Sequence, residues 1–163
     1  MADRAGFEGF YRENLARVVR ACALVTLDRS AAEDIASEAF ARLWASWGRI
    51  QNPDHAGGFV FKTAMRLCGR RRSTTAREVI GTVPERSTPD EYGAATIRAS
   101  VFEALRRLPV RQRQCIALRD WAGFPTNEVA RMLRMRESTV RVHIARGRAT
   151  LRAQLSMKEE MDD

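Results

Sequence analysis

The sequence has few of the residues from which metal sites and disulfide frameworks are built. Its 163 residues include three cysteines and two histidines, and none of them stands at a CxxC, HxxH or HExxH spacing. Cys22, Cys68 and Cys115 are far apart and odd in number, so we expect them to pack as small apolar residues. Cys68, which lies beside arginines, is the one candidate for a redox role. We expect no metal and no cofactor.

Long apolar runs, a secretory leader and enzyme signatures are also missing. The longest apolar run, 21–25, is far shorter than the roughly 18 to 20 residues that a membrane-spanning helix needs. Asp3, Arg4 and Glu8 interrupt the start of the chain, which argues against a signal peptide. The sequence contains no glycine-rich phosphate loop and no nucleophile motif. These absences predict a cytoplasmic protein that is not an enzyme and does not insert into a membrane.

Positive charge, by contrast, is abundant. The chain has 28 Lys and Arg against 20 Asp and Glu, a net charge of +8. Such a balance favours a polyanionic partner, either nucleic acid or an anionic membrane surface. The charge is concentrated over 131–152, which contains seven arginines and one acid, Glu137. This concentration indicates nucleic-acid binding.

Residues 126–155 predict two helices joined by a tight turn at 134–136, which is helix-turn-helix spacing. The apolar faces of the two helices are Val129, Ala130 and Leu133, then Val140, Ile144, Leu151 and Leu155. Thr126 is the predicted N-cap of the first helix. The second helix places small residues and arginines away from its apolar stripe, so that its backbone can approach a groove and its guanidiniums can reach phosphates or guanine edges. We interpret it as a recognition helix.

The N-terminal half predicts a separate helical unit. Its predicted elements are helices over 7–27 and 31–47, a loop over 49–58 and a helix over 59–76. The last helix is basic and contains no acid, and a basic helix beside a glycine-bearing loop suits the separation of nucleic-acid strands. A Gly-, Pro- and Ser-bearing linker follows, long enough to let two domains sit well apart, and helices resume at about 95.

The helix predicted over 31–47 carries an acidic ridge that includes Asp34 and Glu38. Acids near the start of a helix are favoured by the helix dipole, and a basic partner is the alternative explanation. Phe40 and Trp44 recur at helical spacing on the apolar face, so we expect both in the core.

Three stretches resemble one family, the bacterial extracytoplasmic-function (ECF) RNA polymerase sigma factors. The run EVARMLRMRESTVRVHIARGRATLR resembles the DNA-reading C-terminal domain of that family, and AEDIASEAFARLW resembles the segment that binds core polymerase. ALRRLPVRQRQCIALRDWAGFPTNEVA is similar to the helices that precede the family's recognition helix. The chain has Arg134 and Ser138 where the family has glycine, and Arg66 where it has asparagine. Arg134 therefore needs either a left-handed backbone, at a cost of about 1 kcal/mol, or a reshaped turn.

The resemblance implies an all-α fold of two small helical domains joined by a flexible linker, the C-terminal one containing the helix-turn-helix. The expected divisions are a region 2-like domain over 1–76, a linker over 77–94, a region 4-like domain over 95–157 and a tail over 158–163. It implies that region 2 binds core polymerase and captures and melts the minus-10 element, while region 4 reads the minus-35 element.

The resemblance also implies three sets of site residues. The polymerase-binding set is Asp34, Glu38, Phe40, Arg42 and Trp44. The minus-10 set is Asn52, His55, Lys62, Arg66, Arg70, Arg71 and Arg72. The minus-35 set is Ser138, Thr139, Arg141, Val142, Arg146, Arg148 and Arg152.

The implied function is a sigma factor that directs promoter-specific transcription initiation. Its implied partners are core RNA polymerase, through the clamp helices and the flap, promoter DNA, and an anti-sigma factor of the kind that restrains many relatives. The alternative is a stand-alone helix-turn-helix regulator that binds duplex DNA by itself. That alternative leaves the acidic ridge and the basic helix of the N-terminal half without a purpose.

Overall fold

The computed structural model describes residues 3–50, 52–75 and 91–162, with side chains over 3–50, 52–71 and 99–161. Every regular element in these ranges is helical, as predicted. The helices are α1 (Arg4–Thr26), α2 (Arg29–Ser46), α3 (Pro53–Thr75), α4 (Glu91–Arg106), α5 (Val110–Ile116), α6 (Thr126–Leu133) and α7 (Glu137–Asp162). A short 3-10 turn, Trp47–Arg49, follows α2, and a π-helical turn, Ala117–Trp121, continues α5. No described helix is long and apolar enough to cross a membrane.

The N-terminal unit consists of α1, α2 and α3 packed around an apolar core. Phe40, Leu43, Val60 and Phe61 are almost completely buried there. Asp28 begins α2 by accepting a hydrogen bond from the backbone N–H of Ala31 at 3.0 Å, which satisfies an amide that the helix leaves unpaired.

Our prediction of a loop over 49–58 is wrong in its second half, because α3 already begins at Pro53. Proline suits the first turn of a helix, where its missing N–H would have had no partner and its fixed φ is already helical. The Asn52 side chain accepts a hydrogen bond from the Asp54 N–H at 3.0 Å. Gly57 and Gly58, expected in the loop, therefore lie inside the helix.

The C-terminal unit consists of α4 to α7, with Leu105, Leu108 and Ile116 forming a small core against α7. Gly147 allows this packing. A Cβ at Gly147 would lie 2.5 Å from Ile116 Cδ1 and 3.3 Å from Leu108 Cδ2. Any side chain there would push α7 away from α5, or force those side chains to move.

Two predicted boundaries differ from the observed helices. Helix α4 begins at Glu91, inside the linker predicted over 77–94. Helix α7 continues to Asp162 and takes in most of the tail predicted over 158–163, because Lys158 and Glu159 are strong helix formers and no Gly or Pro interrupts them. The rest of the predicted linker, 77–90, lies outside the described residues.

The two units pack directly against each other. One continuous core cluster runs from α1–α3 into α5, α6 and α7. The rings of Phe61 on α3 and Phe124 in the C-terminal unit meet edge to face with 5.1 Å between centroids. A Cβ on Gly58 would lie 3.9 Å from Met132 Cε, in ordinary contact with α6.

Hydrogen bonds cross the same contact. The buried Gln114 amide donates from Nε2 to the Met65 carbonyl at 3.0 Å. Arg113 Nε donates to the Val25 carbonyl in the last turn of α1 at 3.0 Å. A cation is favoured at that end of a helix, where the backbone carbonyls point outward. We call the contacts that join the two units the interdomain contact: Gln114 with Met65, Arg113 with Val25, Phe61 with Phe124, and Arg17 with Ala122.

Candidate nucleic-acid interface

The turn between α6 and α7 has a left-handed residue at its start. Arg134 ends α6 with φ 54° and ψ 50°, in the left-handed region. Its N–H reaches the carbonyl oxygens of Ala130 and Arg131, and the Met135 N–H donates to Ala130 at 3.0 Å. The turn thus closes as a helix C-cap in which arginine stands in the place favoured for glycine. Of the two alternatives left open for Arg134, the structure has the left-handed backbone.

The predicted hydroxyl cap on α6 is wrong. Pro125, not Thr126, occupies the N-cap position, with φ −65° and ψ 154°, and no side chain caps this end of the helix. The Pro125 carbonyl accepts from the N–H groups of Glu128 at 3.0 Å and Val129 at 3.1 Å. Thr126 is therefore the first helical residue, one position too late for its hydroxyl to act as the cap.

Helix α7 presents the predicted two faces. Val140 and Ile144 are buried against the rest of the C-terminal unit, and Leu151 is half-buried. The exposed residues include all of the predicted minus-35 set: Ser138, Thr139, Arg141, Val142, Arg146, Arg148 and Arg152. Val142 is 46% exposed, so an apolar side chain stands among the arginines on the open face.

Two arginines on this face are held by carboxylates. Arg141 Nη2 donates to Glu137 Oε2 at 3.1 Å, one helical turn away. Arg148 forms a two-pronged pair with Asp120, with Nε donating to Oδ2 at 2.9 Å and Nη2 donating to Oδ1. The hydrogen bond to Asp120 raises the pKa of Arg148 above its ordinary value.

Helix α3 presents a basic face. His55, Lys62, Arg66 and Arg70 lie within about 80° of one another around the helix, and all but the half-buried Lys62 are exposed. Asn52, also in the predicted minus-10 set, begins the helix through its hydrogen bond to Asp54. The Arg72 side chain lies outside the described residues.

Arg71 lies on a different side of α3 from this basic face. Its guanidinium reaches Asp34 Oδ2 on α2 at 3.4 Å from Nη2 and 3.5 Å from Nη1. The structure therefore joins one residue predicted to bind minus-10 DNA to one predicted to bind polymerase. Both side chains are substantially exposed, so the pair adds little to stability.

Helix α2 presents the acidic ridge to solvent. Asp34 and Glu38 are exposed along one face, and Glu38 pairs with Arg42 one turn later. Phe40 is 2% exposed, which confirms its expected place in the core. Trp44 is 43% exposed, so its expected burial is wrong. It lies near the end of α2, where the ring of Phe7 on α1 meets the indole edge to face at 4.8 Å between ring centroids.

The three cysteines are buried and free, as predicted for packing residues. A hydrogen bond to Cys68 and burial raise the pKa of the Cys22 thiol far above its ordinary value. Burial likewise raises the pKa of Cys115 to about 11, against the opposing charge of Arg111. A redox role for Cys68 is not favoured, because its thiol is buried in the core at 3% exposure.

Sequence reasoning missed Asp120 and the residues of the interdomain contact. Asp120 is 28 residues from Arg148, and Gln114 is 49 residues from Met65. Neither pair has a spacing that a helix or a strand would produce. No local pattern could have indicated them.

Comparison with known families assigns both halves of the chain. Residues 10–78 match the family model described as Sigma-70 region 2. Residues 98–151 match the model described as Sigma-70, region 4. The two matches follow the N-terminal and C-terminal helical units of the structure.

Individual proteins give the same result. The chain is 32% identical over 154 residues to the ECF RNA polymerase sigma factor SigL of Mycobacterium tuberculosis, covering 88% of this chain and 86% of SigL. It is 25% identical over 161 residues to the RNA polymerase sigma-E factor of Streptomyces coelicolor, covering 98% and 91%. Its fold is similar, at TM-score 0.72 and 20% identity, to that of the sigma factor RpoE in complex with the anti-sigma factor NepR from Bartonella quintana, covering 93% and 97%.

Proposed function

Since the chain belongs to the ECF family of RNA polymerase sigma factors, we propose that it binds core RNA polymerase and directs it to promoters. The observation that carries this function is that both family regions are present and that each exposes a surface of suitable chemistry. Polymerase would supply the catalysis, and the chain itself the recognition. We place this activity in the cytoplasm.

The C-terminal unit, over 95–157, would read the minus-35 element with the exposed face of α7. Ser138 and Val142 are small enough to let the helix enter the major groove. Arg141, near the start of the helix, would contact a base edge, where a good bidentate pair contributes about 1 to 3 kcal/mol of discrimination. Arg148 and Arg152, further along α7, would hold phosphates.

The N-terminal unit, over 1–76, would bind polymerase through α2 and open the minus-10 element with α3. The exposed acids of α2 suit a basic partner surface, and the exposed indole of Trp44 adds apolar area near them. On α3, the face of His55, Lys62, Arg66 and Arg70 suits a single-stranded backbone. The ion pair to Asp34 places Arg71 between the two surfaces and outside this basic face.

Use of both promoter elements would require the two units to separate. Elements named minus-10 and minus-35 lie about 25 base pairs apart, roughly 85 Å of duplex. The interdomain contact instead holds the units within hydrogen-bonding distance. A chain of 15 residues, the number over 76–90, can span about 50 Å when extended. Together with the dimensions of the two units themselves, this length is enough for the separation.

An anti-sigma factor is a further expected partner.

A stand-alone regulator would need only α6 and α7. The match of residues 10–78 to Sigma-70 region 2 argues against it, because that half of the chain would have no task. Such regulators commonly bind as dimers to paired half-sites, whereas a sigma factor acts as one copy on two unlike elements.

Run-off transcription tests the proposal. Purified bacterial core polymerase would transcribe fragmented genomic DNA with and without the chain, and the 5′ ends would be sequenced. We expect new start sites that share two spaced upstream elements. Duplex binding by the chain alone, without new starts, would support the stand-alone regulator instead.

A further inference from the structure

Asp120 holds the Arg148 guanidinium from one side. The carboxylate accepts from Nε and from Nη2, so it occupies the lateral edge of the planar group. A guanidinium has five N–H donors in a rigid fork. The pair uses two of them. Three donors remain, and the edge between Nη1 and Nη2 presents two of them, one proton from each nitrogen.

The side chain that carries this edge is substantially exposed to solvent. The Arg148 side chain is 48% exposed and lies on the same stripe of α7 as Arg141 and Arg152. A phosphate or a base edge could accept from it without displacing Asp120. Arginine forks recognise phosphate by two parallel hydrogen bonds, which depend on a fixed orientation of the group.

Asp120 is itself held in place by the π-helical turn. The Ala122 N–H donates to the Ala117 carbonyl at 2.9 Å, the five-residue step that defines such a turn. Single π turns of this kind occur frequently at functional sites. Next to Asp120, Trp121 lies against the Arg20 guanidinium at 5.9 Å. The carboxylate therefore extends from a turn that is anchored by the buried Ala117 and Leu118.

We propose that Asp120 is a positioning residue for DNA binding, which holds Arg148 with its free edge directed at the duplex. This proposal rests on the proposed function only in requiring that α7 contacts duplex DNA. Arg148 makes the contact, and Asp120 reduces the conformational freedom that the arginine would lose on binding.

The direction in which Asp120→Asn changes DNA affinity tests the proposal. Asp120→Asn keeps the size of the side chain and removes a negative charge near the DNA, so charge alone would tighten binding. Positioning predicts the opposite, a weakening of about two- to tenfold, because a free arginine must be ordered on binding. The full chain would be titrated against a labelled mixed-sequence duplex over a series of KCl concentrations.

A double-mutant cycle separates the explanations. In an Arg148→Ala background, Asp120→Asn should no longer weaken binding, since the residue that it positions is missing. Arg148→Lys keeps the charge but cannot form the fork, so it should resemble Asp120→Asn. Melting temperatures of all variants would also be measured. If the pair had a purely structural role, breaking it would lower the melting temperature and leave the DNA affinity of the folded protein unchanged.

Each outcome has one meaning. If Asp120→Asn binds as tightly as the parent or more tightly, while Arg148→Ala binds less tightly, the positioning role is wrong and the DNA contact stands. If Arg148→Ala binds as well as the parent, Arg148 is not a DNA contact and both the positioning role and that assignment are wrong. Start-site mapping would decide the sigma function independently.

Discussion

Arg17→Ala should open the protein by weakening the interdomain contact. Arg17 Nη2 donates to the Ala122 carbonyl at 3.0 Å, and its guanidinium lies 5.8 Å from the centre of the Phe61 ring. A hydrogen bond from a charged donor contributes about 1.5 to 3 kcal/mol. The Phe61 ring belongs to the same unit as Arg17, so the cation–π contact persists when the units separate and adds nothing to this difference. Allowing for solvent screening, we expect Arg17→Ala to destabilise the packed state by about 1 to 2 kcal/mol relative to the open state, in which the two units are apart.

Destabilising the packed state should raise the affinity of the chain for core polymerase. A shift of 1 to 2 kcal/mol raises the ratio of open to packed protein by about 5- to 30-fold. If only the open form can engage polymerase and both promoter elements, apparent affinity for core polymerase rises by up to the same factor. Titration of labelled chain with core polymerase measures the affinity. Small-angle scattering should show a larger radius of gyration for Arg17→Ala.

Arg12→Ala is the matched control. Arg12 is exposed on the same helix, so its removal changes the charge equally. Equal shifts in both variants would show that charge, and not the contact, is responsible. An Arg17→Ala protein with the parent's radius and affinity would refute the idea that the two units must separate before polymerase binds.

Further outcomes are expected at Arg141 and Arg148, at Gly147 and at Cys115. Arg141→Ala should relax the choice of minus-35 sequence, whereas Arg148→Ala should weaken all sequences alike and lower the salt slope by about one; equal selectivity in both variants would contradict that division. Gly147→Val should lower the free energy of unfolding by about 1 to 3 kcal/mol in thermal melts, since its side chain would collide with Ile116. With its pKa raised to about 11 by burial, Cys115 should react slowly with thiol reagents at pH 8. Stability should fall as pH rises from 9 towards 11, because only the unfolded chain then releases that proton.

Patterns within about one or two helical turns were sufficient for much of this protein. The stripe of Val140 and Ile144, the turn at Arg134 and the burial of Phe40 all follow from the helical period and from what a helix end requires. Basic charge on α3 and α7 was likewise visible as composition.

Local reasoning failed where two local signals competed. The loop predicted over 49–58 includes Asn52 and Pro53, but this pair begins α3. Thr126 has a side chain suited to an N-cap, yet Pro125 takes that position. Trp44 has the period of a core residue, but it is 43% exposed near the end of α2. In each case the local structure depended on other residues of the same chain that lie beside it.

The sequence by itself determined the family, the all-helical class and the faces that meet solvent, because these follow from periodicity, charge and motif order. Only the tertiary structure decided which residues meet across those faces. The fork of Asp120 on Arg148, the Asp34–Arg71 pair and the interdomain contact join residues far apart in the chain. Their partners are set by helix packing, which brings one carboxylate or amide among many to between 2.9 and 3.4 Å of its donor or acceptor.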